Sequence, residues 1–113
     1  MSADHADWEV YRVSELVEKV AGTQPRLHEF LNRPSLSGIV YHLPVGCRDL
    51  QAPHAEDEVY VVLEGRARLK VGEREHDIGP GHVLFVRATM AHSFFDIEED
   101  LTVLAFFGAR NAR

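Results

Sequence analysis

Short hydrophobic runs dominate the chain from Leu36 onward. They are rich in Val, Ile, Tyr, Phe and Leu, and they are separated by Gly, Pro and acidic residues. Runs of this length with breaks of this composition are typical of β-strands joined by turns. The pattern predicts seven strands, over residues 36–43, 58–63, 67–71, 74–78, 83–86, 92–97 and 101–107. Many short strands at even spacing favour a mainly β fold, either an antiparallel sandwich or a barrel.

The segment before these strands has a different periodicity. Apolar residues recur at helical spacing over residues 13–21, which predicts a helix there. Ser14 is placed to cap its start and Gly22 to end it. Residues 26–31, which lie between two prolines, are predicted to form a further turn or two of helix. Both segments are expected to pack against the β region.

Length and composition indicate one domain of an ordinary globular protein. The chain has 113 residues, of which 45% are hydrophobic and 27% charged, so it suits a single core. We expect residues 1–35 to form an N-terminal extension whose short helix packs on a barrel made by residues 36–113.

Charge and cysteine content restrict the partners and the compartment. The formal net charge is -6 and no basic stripe is present, so nucleic-acid binding is not expected. No apolar run approaches the ~20 residues of a membrane-spanning helix, and the first residues lack the features of a signal peptide. Cys47 is the single cysteine, so no internal disulfide can form, which is compatible with a reducing compartment. We therefore expect a cytoplasmic protein with no nucleic-acid or membrane partner.

The spacing of His54 and Glu58 allows both to bind one metal ion if a tight turn joins them. Ligand atoms lie about 2 Å from a metal, so two ligands lie within roughly 4 Å of each other. Residues four apart on a straight strand would be separated by about 13 Å, while Pro53 and the β-branched run after Glu58 disfavour a helix. We expect a turn at residues 55–57, with His54 ending one strand and Glu58 starting the next.

His92 begins another β-like run and supplies a third candidate ligand. Strand alternation places His92, Phe94 and Asp96 on one face, and Glu58, Tyr60 and Val62 on one face. If both faces point into a small barrel, the imidazoles of His54 and His92 meet the Glu58 carboxylate near its mouth, a ligand set favoured by non-haem iron(II) and similar metals. The alternative is a barrel whose polar residues are satisfied without metal. Tyr60 and Phe94 either line a substrate pocket or fill the barrel interior.

The segment around His54 and Glu58 resembles a sequence motif of the cupin superfamily. That motif reads Gly, five residues, His-x-His, three or four residues, Glu, six residues, Gly. The chain matches it with the spacing intact at four positions: Gly46, His54, Glu58 and Gly65. Ala52 stands where the family has its first histidine.

The segment that ends beyond His92 resembles the second cupin motif, which reads Gly, five residues, Pro-x-Gly, two residues, His, three residues, Asn. The chain matches at Gly81 and His92. Three other marked positions differ, with Arg87, Thr89 and Asp96 in place of the Pro, Gly and Asn. The second match is therefore carried by fewer residues than the first.

The resemblance implies a double-stranded β-helix, which is a jelly-roll barrel of the RmlC-like kind. It implies one divalent transition metal on His54, Glu58 and His92, with Gln51 the candidate for a fourth ligand because Ala52 cannot bind metal. Iron, zinc, manganese and nickel are not distinguished. The implied function is a metal-dependent enzyme, an oxygenase or isomerase acting on a small organic substrate; the alternative is a non-enzymatic small-ligand or sensor cupin. A homodimer is the family expectation, and the sequence identifies no catalytic residue.

Overall fold

The computed structural model describes residues 7–49 and 55–109. Its elements in chain order are α1 (Val13–Val20), β1 (Arg26–Asn32), β2 (Leu36–Leu43), β3 (Glu58–Val71), β4 (Arg74–Ile78), β5 (Val83–Val86) and β6 (His92–Gly108). The mainly β architecture predicted from the hydrophobic runs is confirmed. Three predicted strands, β2, β4 and β5, have the bounds that the sequence indicated.

All strands pair antiparallel in the order β1-β2-β6-β3-β4, and β5 pairs with β3 as well. The sequence predicted two strands in the place of β3 and two in the place of β6. Each pair is one long strand, because the chain continues through the break residues with local irregularities in the β3–β6 register between Val62 and Arg68. Such irregularities bend and twist a ladder. The long strands therefore curve instead of running flat.

The main core lies on the inner face of this curved sheet. Alternate residues of β3 and β6 point inward, and Tyr60 and Phe94 are the largest side chains that are almost fully buried. Burying an aromatic or branched apolar side chain contributes about 1.5–3 kcal/mol. The inner face also holds two polar side chains from the strands, Glu58 and His92, each buried.

The predicted helix near the N-terminus is confirmed as α1. It packs Leu16 and Val20 on the outer face of the sheet, against Val40 and its neighbours, in a cluster separate from the main core. The proposed cap is wrong: Arg12 is the N-cap, with no side-chain cap hydrogen bond, and Ser14 lies inside the first turn. In the described part of the chain, no helix has the length and apolar character needed to cross a membrane.

The helix expected at residues 26–31 is also wrong, since this segment is strand β1. It pairs with β2 along nearly its whole length, and a tight turn at Pro34 and Ser35 joins the two strands. Arg33 and Leu36 exchange two backbone hydrogen bonds across that turn. Pairing with an existing strand satisfies the backbone donors and acceptors, and this tertiary contribution outweighs a weak local helical preference. The boundary expected between residues 35 and 36 falls within this hairpin turn.

Candidate metal centre

Glu58 is the first residue of β3, as the turn expected at residues 55–57 required. Asp57 fixes the position of this turn. Its Oδ1 accepts a hydrogen bond of 2.8 Å from the Ala88 N–H, and its carbonyl accepts one of 3.0 Å from the Gly108 N–H. The start of β3 is thereby tied to both segments that flank it, and the Glu58 side chain points into the core.

His92 reaches the same place from the opposite end of the β3–β6 ladder. Glu58 pairs with Phe107 at one end of the ladder, and His92 pairs with Val71 at the other. A flat strand would separate residues 58 and 71 by about 43 Å. Because the ladder curls, His92 Nε2 lies 2.9 Å from Glu58 Oε1, with both side chains only 1% exposed. The predicted convergence of these two residues is therefore present.

The hydrogen bonds of His92 define the direction of its ring. Nδ1–H donates to the carbonyl of Met90, with the two atoms 2.9 Å apart. Nε2 is directed at Glu58, and the Tyr60 hydroxyl lies 3.0 Å from it and donates to it when the ring is neutral. The hydrogen bond with Glu58 raises the pKa of His92 above its ordinary value, and this outweighs the opposing effect of burial. A backbone carbonyl on the far nitrogen is the usual orienting partner of a metal-binding histidine.

The second carboxylate oxygen of Glu58 tests whether the pair fits a metal ion. Oε2 is buried and has no hydrogen-bond partner among the described residues. A buried carboxylate oxygen without a partner is costly. Beside an imidazole nitrogen that is already oriented, it supplies the oxygen and nitrogen donors that divalent transition metals accept. The residues present fit such an ion.

The described residues contain only part of the predicted ligand set. Within residues 7–49 and 55–109, no three His, Cys, Asp or Glu side chains converge as metal ligands. His54, the third predicted ligand, and Gln51, the candidate fourth, lie outside the described residues. Both assignments therefore stay predictions, while Glu58 and His92 lie together.

Tyr60 and Phe94, the predicted pocket residues, lie beside this pair. Both are buried, and their rings meet edge to face with centroids 5.0 Å apart. Tyr60 also contacts the His92 ring, with centroids 6.0 Å apart. They form the apolar wall of the site, and a substrate-binding role for them stays a prediction.

Asp49 is a residue of this region that the sequence analysis missed. Its Oδ1 accepts a hydrogen bond of 3.0 Å from the Tyr41 hydroxyl, and its Oδ2 accepts one of 2.8 Å from the Phe94 N–H. Burial and the Asp49 charge together raise the pKa of Tyr41. No spacing rule marks Asp49, because its partners lie 8 and 45 residues away along the chain.

A sequence model described as the cupin domain matches residues 39–107, which is more than half of the chain. The chain belongs to the cupin family. An uncharacterized protein of Streptomyces coelicolor is 40% identical to this cupin over 97 residues, which cover 86% of the cupin and 92% of that relative.

Solved structures share the fold of this cupin at low sequence identity. An RmlC-like cupin from Methanocaldococcus jannaschii, described as a double-stranded β-helix, has a TM-score of 0.73 and 12% identity, with 96% of this cupin and 94% of that chain covered. The DMSP lyase DddQ from Ruegeria pomeroyi has a TM-score of 0.71 and 19% identity, with 79% of this cupin covered. The match spans 49% of that lyase, about half of its length. The predicted jelly-roll fold is thus confirmed.

Proposed function

We propose that this cupin holds one divalent transition metal and acts as a small metal-dependent enzyme, of the oxygenase or isomerase type, on a compact organic substrate. The observation that carries the proposal is the buried Glu58–His92 pair, in which Glu58 Oε2 has no hydrogen-bond partner among the described residues. Two ionisable side chains are buried where apolar side chains would pack, and burying ionisable groups is costly. A bound metal ion would offset part of this cost, and the donor atoms suit one.

Each residue near the site would have its own role. Glu58 Oε2 and His92 Nε2 would bind the ion, and His54 would complete the set if it reaches the same point. Met90 keeps His92 in the tautomer whose Nε2 can bind metal, through the bond at Nδ1. The Tyr60 hydroxyl, 3.0 Å from Nε2, would be released to donate a proton or a hydrogen bond to a ligand. When bound, the metal would supply Lewis-acid or redox chemistry in a site from which apolar side chains exclude water.

The relatives support an enzyme only in a general way. DddQ is a lyase built on this fold, so the fold is able to carry enzymatic chemistry. Its substrate is not transferred to this cupin, because 19% identity supports the shared fold alone.

Metal analysis of the purified protein, prepared without chelators, tests the proposal. We expect about one metal ion per chain in the wild type, and far less in Glu58→Gln, His92→Gln and His54→Gln. His76→Gln is the matched control, because His76 is an exposed histidine whose Nδ1 bonds to the neighbouring Asp77 carbonyl and whose ring meets that of His82. Metal content that is low and equal in the wild type and all variants would refute the proposal.

The second candidate function is a non-enzymatic cupin that binds a small ligand or acts as a sensor. The observation in its favour is that Glu58 and His92 can also pair as carboxylate and imidazolium, since the hydrogen bond with Glu58 raises the pKa of His92. On this hypothesis the protein keeps its fold without metal and binds a ligand without turnover. Oxygen-uptake and isomerisation assays on a panel of small substrates, with metal-loaded protein, distinguish the two functions.

We also propose that two copies associate. Apolar side chains on the outer face, Val83 and Phe85 of β5 and Trp8 near the N-terminus, are largely exposed in the single chain. A self-complementary contact would bury part of this surface. Analytical ultracentrifugation tests this, and a monomer mass at micromolar concentration would contradict it.

A further inference from the structure

We propose that Asp49 is a positioning residue for the metal centre, which holds the first residues of β6 so that His92 is directed at Glu58. The inference rests on the proposed metal site. It gives a role to a side chain whose hydrogen bonds go to the Tyr41 hydroxyl and to the Phe94 N–H at the edge of β6.

Asp49 takes the place of a missing strand beside the first residues of β6. Near His92, strand β6 pairs with β3 on one side, through Val71 and Leu69. On its other side β2 pairs with β6 only from Leu101 onward. The N–H of Phe94 therefore has no strand partner in the described ladders on that side, and the carboxylate of Asp49 accepts its hydrogen bond at 2.8 Å. Charged acceptors make stronger hydrogen bonds than neutral ones.

The Asp49 carboxylate is itself held in place. Its other oxygen accepts the hydroxyl proton of Tyr41, a buried residue of the neighbouring strand β2, at 3.0 Å. Asp49 thus joins β2 to the start of β6 across the region that their ladder leaves unpaired. Phe94, fixed at its backbone by this contact, lies two residues after His92 and packs its ring on Tyr60.

The Asp49 carboxylate also acts through its charge. It bonds to the backbone only two residues after His92, and a negative charge this near the site would favour a bound cation. Asp49 would therefore act on metal affinity in two ways, by holding the backbone and by its charge.

Zn²⁺ affinity of the Asp49→Asn variant, measured by competition with a chelating dye, tests the inference. Asparagine has the same shape but only one acceptor oxygen, so it cannot accept from both the Phe94 N–H and the Tyr41 hydroxyl, and the charge is lost as well. We expect Zn²⁺ binding to weaken by about tenfold or more, the range seen when supporting residues of metal sites are replaced. The visible spectrum of bound Co²⁺ should also change, because its bands respond to ligand geometry.

Thr102→Val is the matched control for loss of stability alone. The Thr102 hydroxyl is fully buried and bonds to His42 Nδ1 at 2.9 Å, on the part of the β2–β6 ladder away from the Glu58–His92 pair. This variant should have a lower melting temperature, while its Zn²⁺ affinity stays within about threefold of the wild type.

Asp49→Glu separates position from charge, and it also serves if the asparagine variant does not fold. It keeps the charge but moves the carboxylate by one methylene, so we expect weaker Zn²⁺ binding and an altered Co²⁺ spectrum. Wild-type affinity in Asp49→Glu would mean that charge alone acts, which overturns the positioning role. Unchanged affinity in Asp49→Asn beside a wild type that binds Zn²⁺ overturns the inference but leaves the proposed function intact. A wild type that binds no Zn²⁺, Co²⁺, Mn²⁺ or Fe²⁺ overturns both.

Discussion

Replacing Gly65 with alanine is expected to destabilise this cupin far more than the same replacement at Gly81. Both glycines have positive φ, 94° at Gly65 and 89° at Gly81. A Cβ at Gly81 would meet nothing within 4 Å, whereas a Cβ at Gly65 would lie 2.2 Å from the Asp100 carbonyl oxygen and 2.7 Å from the Leu101 Cα. Both contacts at Gly65 involve main-chain atoms of β6, so no side-chain rotation can relieve them.

The magnitude follows from two contributions. The left-handed backbone alone costs an alanine about 1–2 kcal/mol, which is the whole effect expected at Gly81. At Gly65 the strands must also separate by more than 1 Å at the point where the β3–β6 register shifts, and overpacking of this kind adds about 1–3 kcal/mol or more. We expect about 2–5 kcal/mol in total, which is a large part of the stability of a small domain.

Urea unfolding followed by far-UV circular dichroism measures the difference. Linear extrapolation gives the free energy of unfolding for the wild type, Gly65→Ala and Gly81→Ala. A Gly65→Ala variant that unfolds at low urea, or is not folded at all, agrees with the expectation if Gly81→Ala loses only about 1–2 kcal/mol. Equal losses in the two variants, within about 0.5 kcal/mol, would show that the close approach of β3 and β6 does not restrict residue 65.

Three further outcomes are expected. Leu16→Ala should lower the free energy of unfolding, measured in urea melts, by about 2–4 kcal/mol. It should leave the Zn²⁺ affinity unchanged, because α1 packs on the outer face in a cluster separate from the main core. A changed affinity would contradict this separation. A proton competes with metal at His92 Nε2, and the hydrogen bond with Glu58 raises the pKa of His92 above the ordinary value of about 6.5. The amount of bound Zn²⁺ should therefore fall as the pH is lowered through that raised pKa. Elemental analysis after dialysis at a series of pH values measures this, and an unchanged metal content would contradict it. Burial raises the pKa of Tyr41, so the folded wild type and Tyr41→Phe should form the same amount of tyrosinate by about pH 11, measured by absorbance at 295 nm. A smaller tyrosinate signal in Tyr41→Phe would refute the shift. Because the pKa is raised in the folded state, stability should also be lost as the pH rises above the ordinary pKa of tyrosine.

Much of the strand pattern could be predicted because strand ends are local. The expected bounds of β2, β4 and β5 agree with the structure, and β3 begins at Glu58 as expected. Glycine, proline and acidic residues end strands through their own backbone preferences, which do not depend on distant partners. The two candidate ligands that the structure describes, Glu58 and His92, were found for a related reason, since their spacing matches a known family motif.

The alternation of inward and outward side chains along β6 could be predicted from the sequence only up to Phe94. Counting by twos placed Asp96 on the same face as His92 and Phe94, but Asp96 is exposed, has a φ of 48°, and is followed by the buried Ile97. A left-handed residue inside a strand shifts the alternation by one position. The residue types around Asp96 do not predict this shift.

The amino-acid sequence by itself determined where most strands begin and end, the fold family, and the identity of Glu58 and His92 as candidates. Only the tertiary structure decided that residues 26–32 are a strand, that Glu58 and His92 meet at 2.9 Å, and that Asp49 supports the start of β6. The physical reason is the distance along the chain over which each interaction acts. Local backbone preference acts over a few residues, whereas the pairing of β1, the curl of the β3–β6 ladder and the partners of Asp49 depend on segments tens of residues away.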